Sequence, residues 1–365
     1  MPKLASLKKP LRRETSTIRR GDAIAALLDP QTTRIVVKEQ VRLALLDGAL
    51  APVKEDLQAV TDRVLESLKD PVAQKVLYLI TAGGKRLRPA LVLLAGGSGA
   101  GASREDLLNA AAAVELIHTA TLIHDDIIDQ SPLRRSQPTF HARWGTERAV
   151  LMGDYLYSTA FSLIAQLKSP YVTQLMSDVC RQLCRGELLE VEARFRLDLS
   201  ESGYLDIIRD KTASLIGACC ESGAYLAGAS PGVVGQLREF GLNFGLAFQI
   251  IDDCLDLTGD EEKLGKSVLA DLDKGVLSLP LIYLSNALSH SERQRLFAPL
   301  KKQASSAAFV KRVARAAVAK GTVALAENCA LGFVKKAQQA LDQVPAEGLA
   351  DACRKLASYV VLRRS

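Results

Sequence analysis

The sequence predicts an all-α protein. Aromatic residues make up 5% of its 365 residues. No run alternates β-branched with polar side chains, and alanine and leucine return every three or four positions after residue 40. No significant sheet is expected. Helices are expected over Val53–Leu68, Asp106–Asp129, Thr146–Leu167, Tyr204–Ala227 and Pro231–Leu257. Several carry start signals. Ser103 precedes Asp106 by three residues, as in a capping box, and Ser169-Pro170 and Ser230-Pro231 place a side-chain acceptor before a first-turn proline. Asp106–Asp129 and Pro231–Leu257 are apolar nearly all round, which places both in the middle of a bundle. Gly241 and Gly245, four apart on the second, let a neighbouring backbone approach, at about 1 kcal/mol each in helix propensity. The stretch Gly96–Gly101 reads as a loop, because no strand precedes it and its spacing is not that of a dinucleotide fingerprint.

Composition bounds the function. With 48% hydrophobic and 24% charged residues the chain can bury a large core. The 47 basic and 41 acidic residues give a net charge of +6, too small an excess for a nucleic-acid binder. Lys3, Lys8, Lys9, Arg12, Arg13, Arg19 and Arg20 crowd the first twenty residues against one acid, Glu14. Residues 1–40 are therefore expected to be a poorly ordered basic extension, with at most peripheral attraction to an anionic membrane, and 41–365 one helical domain. The tail lacks the apolar core of a secretion signal, although its Arg-rich, acid-poor composition also suits an organelle transit peptide. The seven cysteines form no CxxC pair, which points away from a disulfide framework or zinc site and towards a reducing, cytoplasmic setting. No uncharged stretch reaches the roughly 18 apolar residues of a membrane span.

The chemistry sits at the ends of the two most apolar helices. One ends in His124-Asp125-Asp126-Ile127-Ile128-Asp129; the other carries Gln249-Ile250-Ile251-Asp252-Asp253-Cys254-Leu255-Asp256. Each is a DDxxD pattern. Positions i and i+4 share a helix face, so the six carboxylates are expected to converge on one rim. Such a rim repels itself unless hard cations sit within it, and Mg²⁺, which completes its shell with water and phosphate oxygens, suits it. Basic groups stand nearby in order: Gly83-Gly84-Lys85-Arg86-Leu87-Arg88-Pro89, Arg134-Arg135, Lys211-Thr212 and Lys266. Arginine forks and lysine charges beside Mg²⁺ suit a diphosphate. Gly265-Lys266-Ser267 is not the end of a Walker A loop, since Gly259 is one residue too far away and a helix precedes it. Neither HExxH nor GxSxG is present.

These motifs resemble the trans-isoprenyl diphosphate synthases, in particular the long-chain octaprenyl and heptaprenyl type. The resemblance runs from about Leu65 to Leu284 and includes residues 83–89, 115–129, 134–139, Gly153-Asp154, 211–213 and 248–256, followed by Gly265-Lys266. It implies a large single-domain bundle of the isoprenoid synthase type with a central cavity, usually a homodimer. Its reaction joins isopentenyl diphosphate head to tail to an allylic diphosphate such as farnesyl diphosphate. By resemblance, Asp125, Asp129 and Asp252, with Asp126, Asp253 and Asp256 around them, bind Mg²⁺ on the allylic diphosphate. Arg134, Lys211 and Lys266 hold the leaving group, and Lys85, Arg88, His118 and Arg135 hold isopentenyl diphosphate. Thr212, Gln249 and the carbonyl of Lys211 face the allylic cation.

Ala120 and Thr121 lie one turn, about 5.4 Å, below Asp125 and are expected to gate chain length. Both are small where short-chain members usually place an aromatic residue, so a long-chain product is expected, with Ala120 as the lining residue. Departures from the pattern are Ser136 for a common glycine, Val276 for a lysine and Ser278 for threonine. The alternatives are a short-chain geranylgeranyl or farnesyl diphosphate synthase, and the regulatory subunit of a heteromeric enzyme. Intact aspartate clusters speak against the latter.

Overall fold

A computed structural model of the chain describes residues 30–101, 103–258, 272, 274–301 and 306–363. Its helices are α1 (Pro30–Leu50), α2 (Lys54–Ser67), α3 (Leu77–Thr81), α4 (Leu87–Gly96), α5 (Arg104–Ile128), α6 (Phe140–Trp144), α7 (Thr146–Gln166), α8 (Pro170–Ala193), α9 (Glu201–Ile208), α10 (Ser214–Leu226), α11 (Pro231–Thr258), α12 (Leu279–Ala287), α13 (His290–Lys301), α14 (Ala307–Ala319), α15 (Thr322–Ala340) and α16 (Glu347–Leu362). Contacts divide the chain into Met1–Ala44 and Leu45–Ser365, and α1 runs through that boundary. Everything below concerns the second unit.

The caps act as the serines imply: Ser103 accepts from the Asp106 amide and Ser169 from that of Val172. The apolar helices α5 and α11 are central, α5 packing on α7 and α4, and α11 on α15 and α10. By length and composition α5 could cross a bilayer, yet 67% of its most apolar 18-residue window is buried in the bundle. An added Cβ on Gly241 would stand 2.8 Å from the Gly217 Cα, and one on Gly245 2.6 Å from the Ala213 Cα. Gly241 therefore lets α10, and Gly245 the residue just before it, lie directly on α11.

Two expectations need correction. Residues 204–227 are not one regular helix: a π turn, Arg209–Ala213, separates α9 from α10. The absence of sheet has a small exception, since Leu133–Arg134 pairs antiparallel with Gln137–Pro138 in a two-residue hairpin. Both irregularities carry residues of the site.

Candidate active site

A cavity of about 710 Å³ is walled by the 79–88 segment, His118, Thr121, Asp125, Arg134, Arg135, Lys211, Thr212, Phe248, Gln249, Asp252 and Arg363. A second cavity of about 160 Å³ adjoins Lys211, Thr212 and Gln249, where Asp129, Glu190, Asp253 and Lys274 meet Ile207, Ile208 and Leu277. Both acidic motifs thus open onto connected walls.

The six carboxylates do not form one rim. Asp125 and Asp252 line the larger cavity, and Asp129 and Asp253 the smaller; Asp126 and Asp256 line neither. The next residue on a helix turns about 100° away, and Asp126 is carried into the bundle, 1% exposed. There its two oxygens accept from Arg134 Nε at 2.9 and 3.0 Å, and Arg134 Nη2 pairs at 2.8 Å. In this structure Asp126 anchors Arg134 and does not face either cavity. Asp256 is buried as well. Asp253 accepts from the Tyr204 hydroxyl at 2.6 Å and from Gln249 Nε2 at 2.8 Å, which commits it to orienting Gln249. Among the described residues, no three His, Cys, Asp or Glu side chains gather closely enough to hold one ion.

Most of the remaining rim charges have internal partners. Asp129 pairs with Arg194 at 2.7 Å and Lys274 at 3.0 Å. Asp252 pairs with Arg363, whose guanidinium lies 4.5 Å over the Phe248 ring. Lys211 pairs with Glu187 at 2.6 Å and Glu190 at 2.5 Å. Burial alone would lower the Lys211 pKa, but Glu190, Asp125 and Glu187 raise it on balance, so the ammonium stays charged. Asp125 has no ion pair among the described residues. Burial pushes its carboxyl up to about 7, a rise opposed by Lys211 and reinforced by Glu187 and Glu190.

The π turn sets Lys211 and Thr212. Widening the helix there offsets its backbone carbonyls from the usual ladder, and π turns collect at functional sites for that reason. It also presses against α8, where a Cβ on Gly186 would stand 2.5 Å from the Lys211 amide nitrogen. Thr212 Oγ1 donates to Gln249 Oε1 at 3.0 Å. A hydrogen-bonded chain of Thr212, Gln249, Asp253 and Tyr204 thereby fixes two oxygens on the cavity wall.

The opposite wall is basic. Arg86, left-handed at φ 48°, turns inward to Glu115 and the Ile80 carbonyl. With Arg86 so anchored, Lys85 lies 5.1 Å from the Tyr359 ring centroid and Arg88 lines the cavity. Arg88 Nη1 is 3.1 Å from His118 Nε2. Burial, then the charges of Arg88, Arg134, Arg135 and Arg86, hold the His118 pKa well below its usual value, so the neutral ring accepts from Arg88 and keeps Nδ1 to donate. Arg135 donates to the Gly83 carbonyl and latches the hairpin to the loop. The hairpin turn has φ 50° at Arg135 and 61° at Ser136, the left-handed pair of a type I′ turn. Ser136→Gly is therefore expected to stabilise the fold by about 0.5–1 kcal/mol, seen as a higher melting temperature at unchanged activity. A lower melting temperature would count against strain at this turn.

Of the two expected gate residues, the structure puts Thr121 and not Ala120 on the wall. Thr121 lines the larger cavity, whereas Ala120 is 0% exposed and lies outside that lining. Lys266 lies outside the described residues. Glu187, Glu190, Arg194, Lys274, Arg363 and Glu115 were missed by sequence reasoning. Glu187 and Glu190 did carry a signal, an i,i+3 acid pair directly after an interior helical glycine. Arg363 carried none, since it reaches Asp252 from the far end of the chain.

The polyprenyl synthetase family model matches residues 69–317. Heptaprenyl diphosphate synthase component 2 of Geobacillus stearothermophilus is 37% identical over 89% of this chain and 98% of its own. A short chain isoprenyl diphosphate synthase of Methanothermobacter thermautotrophicus is 36% identical over 83% and 94%. Among solved structures, a polyprenyl synthase of Caulobacter crescentus CB15, complexed with calcium and isoprenyl diphosphate, superposes with a TM-score of 0.84 at 34% identity, covering 88% of this chain and 98% of that one. With its paired aspartate motifs and facing basic loop on a fold shared over nearly its whole relatives, the chain belongs to the polyprenyl synthetase family, the trans-isoprenyl diphosphate synthases.

Proposed function

We propose that this prenyltransferase condenses isopentenyl diphosphate with an allylic diphosphate such as farnesyl diphosphate, with Mg²⁺, to make a long-chain polyprenyl diphosphate of the kind attached to respiratory quinones. The observation that carries the reading is the polarity of the larger cavity: acids Asp125 and Asp252 on one side, Lys85, Arg88 and Arg135 on the other. The basic side takes a diphosphate directly. The acidic side takes one only through cations, so the two diphosphates are held differently and only one is made to leave.

The residues fit Mg²⁺, because the motif donors facing the cavities are carboxylate oxygens and Asp125 is half-buried with no ion pair among the described residues. Ions held separately, by the α5 carboxylates Asp125 and Asp129 and by Asp252 on α11, would offset the charge of the departing diphosphate. Arg134, oriented by Asp126, and Lys211, oriented by Glu187 and Glu190, then bind that leaving group. Thr212 Oγ1 and Gln249 Oε1, fixed by their hydrogen bonds, present oxygen dipoles to the allylic cation. The departed diphosphate accepts the proton that closes the reaction, so the neutral His118 need not act as a base.

Small side chains one turn below Asp125 support a long product. Incubating the purified chain with farnesyl diphosphate, radiolabelled isopentenyl diphosphate and Mg²⁺ and sizing the products tests the reading. Products no longer than geranylgeranyl diphosphate would overturn the chain length. No product from the chain alone would favour a heteromer, a reading lent weight by the Geobacillus relative's name as a component of its enzyme.

We infer a homodimer from the exposed aliphatic residues of α7 and α8, among them Leu151 at 67% and Leu188 at 63% exposure. Light scattering is expected to give a dimer mass, and Leu151→Glu with Leu188→Glu a monomer; a monomeric parent chain would refute the dimer. We infer a reducing, cytoplasmic setting from the odd number of cysteines and the lack of a CxxC pair.

A further inference from the structure

We propose that the corner between α14 and α15 is a docking surface for an anionic lipid bilayer. α14 exposes Lys311, Arg312 and Arg315, and Lys320 follows at its end. From Ser306 to Ala326 there is no acidic residue. The α14–α15 pair bends by 66° at Lys320-Gly321. On either side of the bend Val318 is 57% and Leu325 54% exposed, although Phe309, Val310, Val313 and Ala317 on the same helix are buried. The core face of α14 is therefore already satisfied; its outer face carries the cations and Val318, and Leu325 stands across the bend on α15, both exposed among the described residues.

That pairing selects the partner. Four cations on a water-facing helix need no explanation beyond solubility, and two exposed aliphatic residues are common. Placed together at a projecting bend, with acids absent, they match the headgroup boundary of a bilayer, where cations meet lipid phosphates and short apolar side chains enter the acyl edge. The acids facing the corner do not cancel it. Glu292 on α13 faces Lys320, and its capping-box hydrogen bonds with Ser289 hold its carboxyl below the usual range and so ionised; it offsets part of the Lys320 charge and leaves Lys311, Arg312 and Arg315 to carry the surface. Glu327 is half-buried one turn further along α15.

The surface is separate from the catalytic walls, none of whose described residues lies on α14 or in the bend. It goes beyond the assigned reaction by giving the enzyme a place beside the phase that must receive a long apolar product. It is also separate in sequence from the basic N-terminal tail.

Co-sedimentation of the full chain with phosphatidylcholine vesicles, with and without about 30 mol% phosphatidylglycerol, tests it. Binding is expected to the anionic vesicles only and to weaken at about 0.5 M salt. Lys311→Gln with Arg315→Gln should weaken partition by about tenfold or more, at about fivefold per cation near the surface. Val318→Ser with Leu325→Ser should weaken it by about tenfold while leaving the salt dependence in place. Undiminished binding of both double variants would assign the attraction to the N-terminal tail and overturn the proposal. Failure of the parent chain to sediment with either vesicle would overturn it too and leave the corner to a protein partner. Both double variants should make product in detergent at the parent rate, so the outcome is distinguishable from failure of the assigned reaction.

Discussion

Asp125→Ala and Asp252→Ala are each expected to lower turnover by about 10²–10³-fold or more with helical content unchanged, because the departing diphosphate loses one side of its charge stabilisation. Circular dichroism and steady-state rates check both parts, and near-normal turnover in either variant would defeat the shared site. The two variants should differ in stability. Asp252→Ala strips the half-buried Arg363 of its carboxylate, which destabilises the fold. Asp125 has no such partner among the described residues, and its carboxyl is raised from 3.8 to about 7 in the folded protein. A raised acid contributes stability that is complete below its unfolded pKa and fades as pH rises through its folded one. The metal-free protein should accordingly melt lower at about pH 8 than at about pH 5 through this group, and Asp125→Asn should flatten that difference. An unchanged slope in Asp125→Asn would show that Asp125 ionises normally.

Thr121→Phe is expected to shorten the product by several isoprene units. Thr121 shares the cavity wall with Asp125, four residues on, so a ring there projects into the space one turn below the acidic motif. The neighbouring Ala120→Phe is expected to act differently, because Ala120 is wholly enclosed: overpacking a filled wall costs about 1–3 kcal/mol, so its first effect is a lower melting temperature. Product sizing by reversed-phase chromatography beside thermal melts separates the two. A Thr121→Phe product as long as the parent's would remove the cavity's role in chain length.

The helices and the two acidic motifs were legible because they rest on periodicity and spacing. Ser103 and Ser169 announced α5 and α8, and the two DDxxD patterns announced which helices meet at the cavity. What escaped was set by orientation and by long-range partners. A pattern of i and i+4 cannot tell that Asp126 turns inward to Arg134 while Asp125 stays on the wall. Nor does local propensity foretell the π turn at Arg209–Ala213, which arises where α8 presses its Gly186 against Lys211. Ala120 and Thr121 differ by one position, about 100°, and only the surrounding helices decide which of them faces open space. Arg363 is separated from Asp252 by more than a hundred residues, a distance across which sequence spacing carries no geometry.

The internal ion pairs of the acidic motifs imply an order of events. An incoming cation that binds Asp129 has to displace Arg194 and Lys274, and one that binds Asp252 has to displace Arg363. Asp125 alone requires no eviction among the described residues. On the proposed reading Asp125 would be the first carboxylate to take a cation, and each later one would free a guanidinium or ammonium group to bind the diphosphate, so that the site's own locks would become ligands. Once the diphosphate had departed, the same groups would return to their carboxylates, and the emptied enzyme would be reset without outside counter-ions.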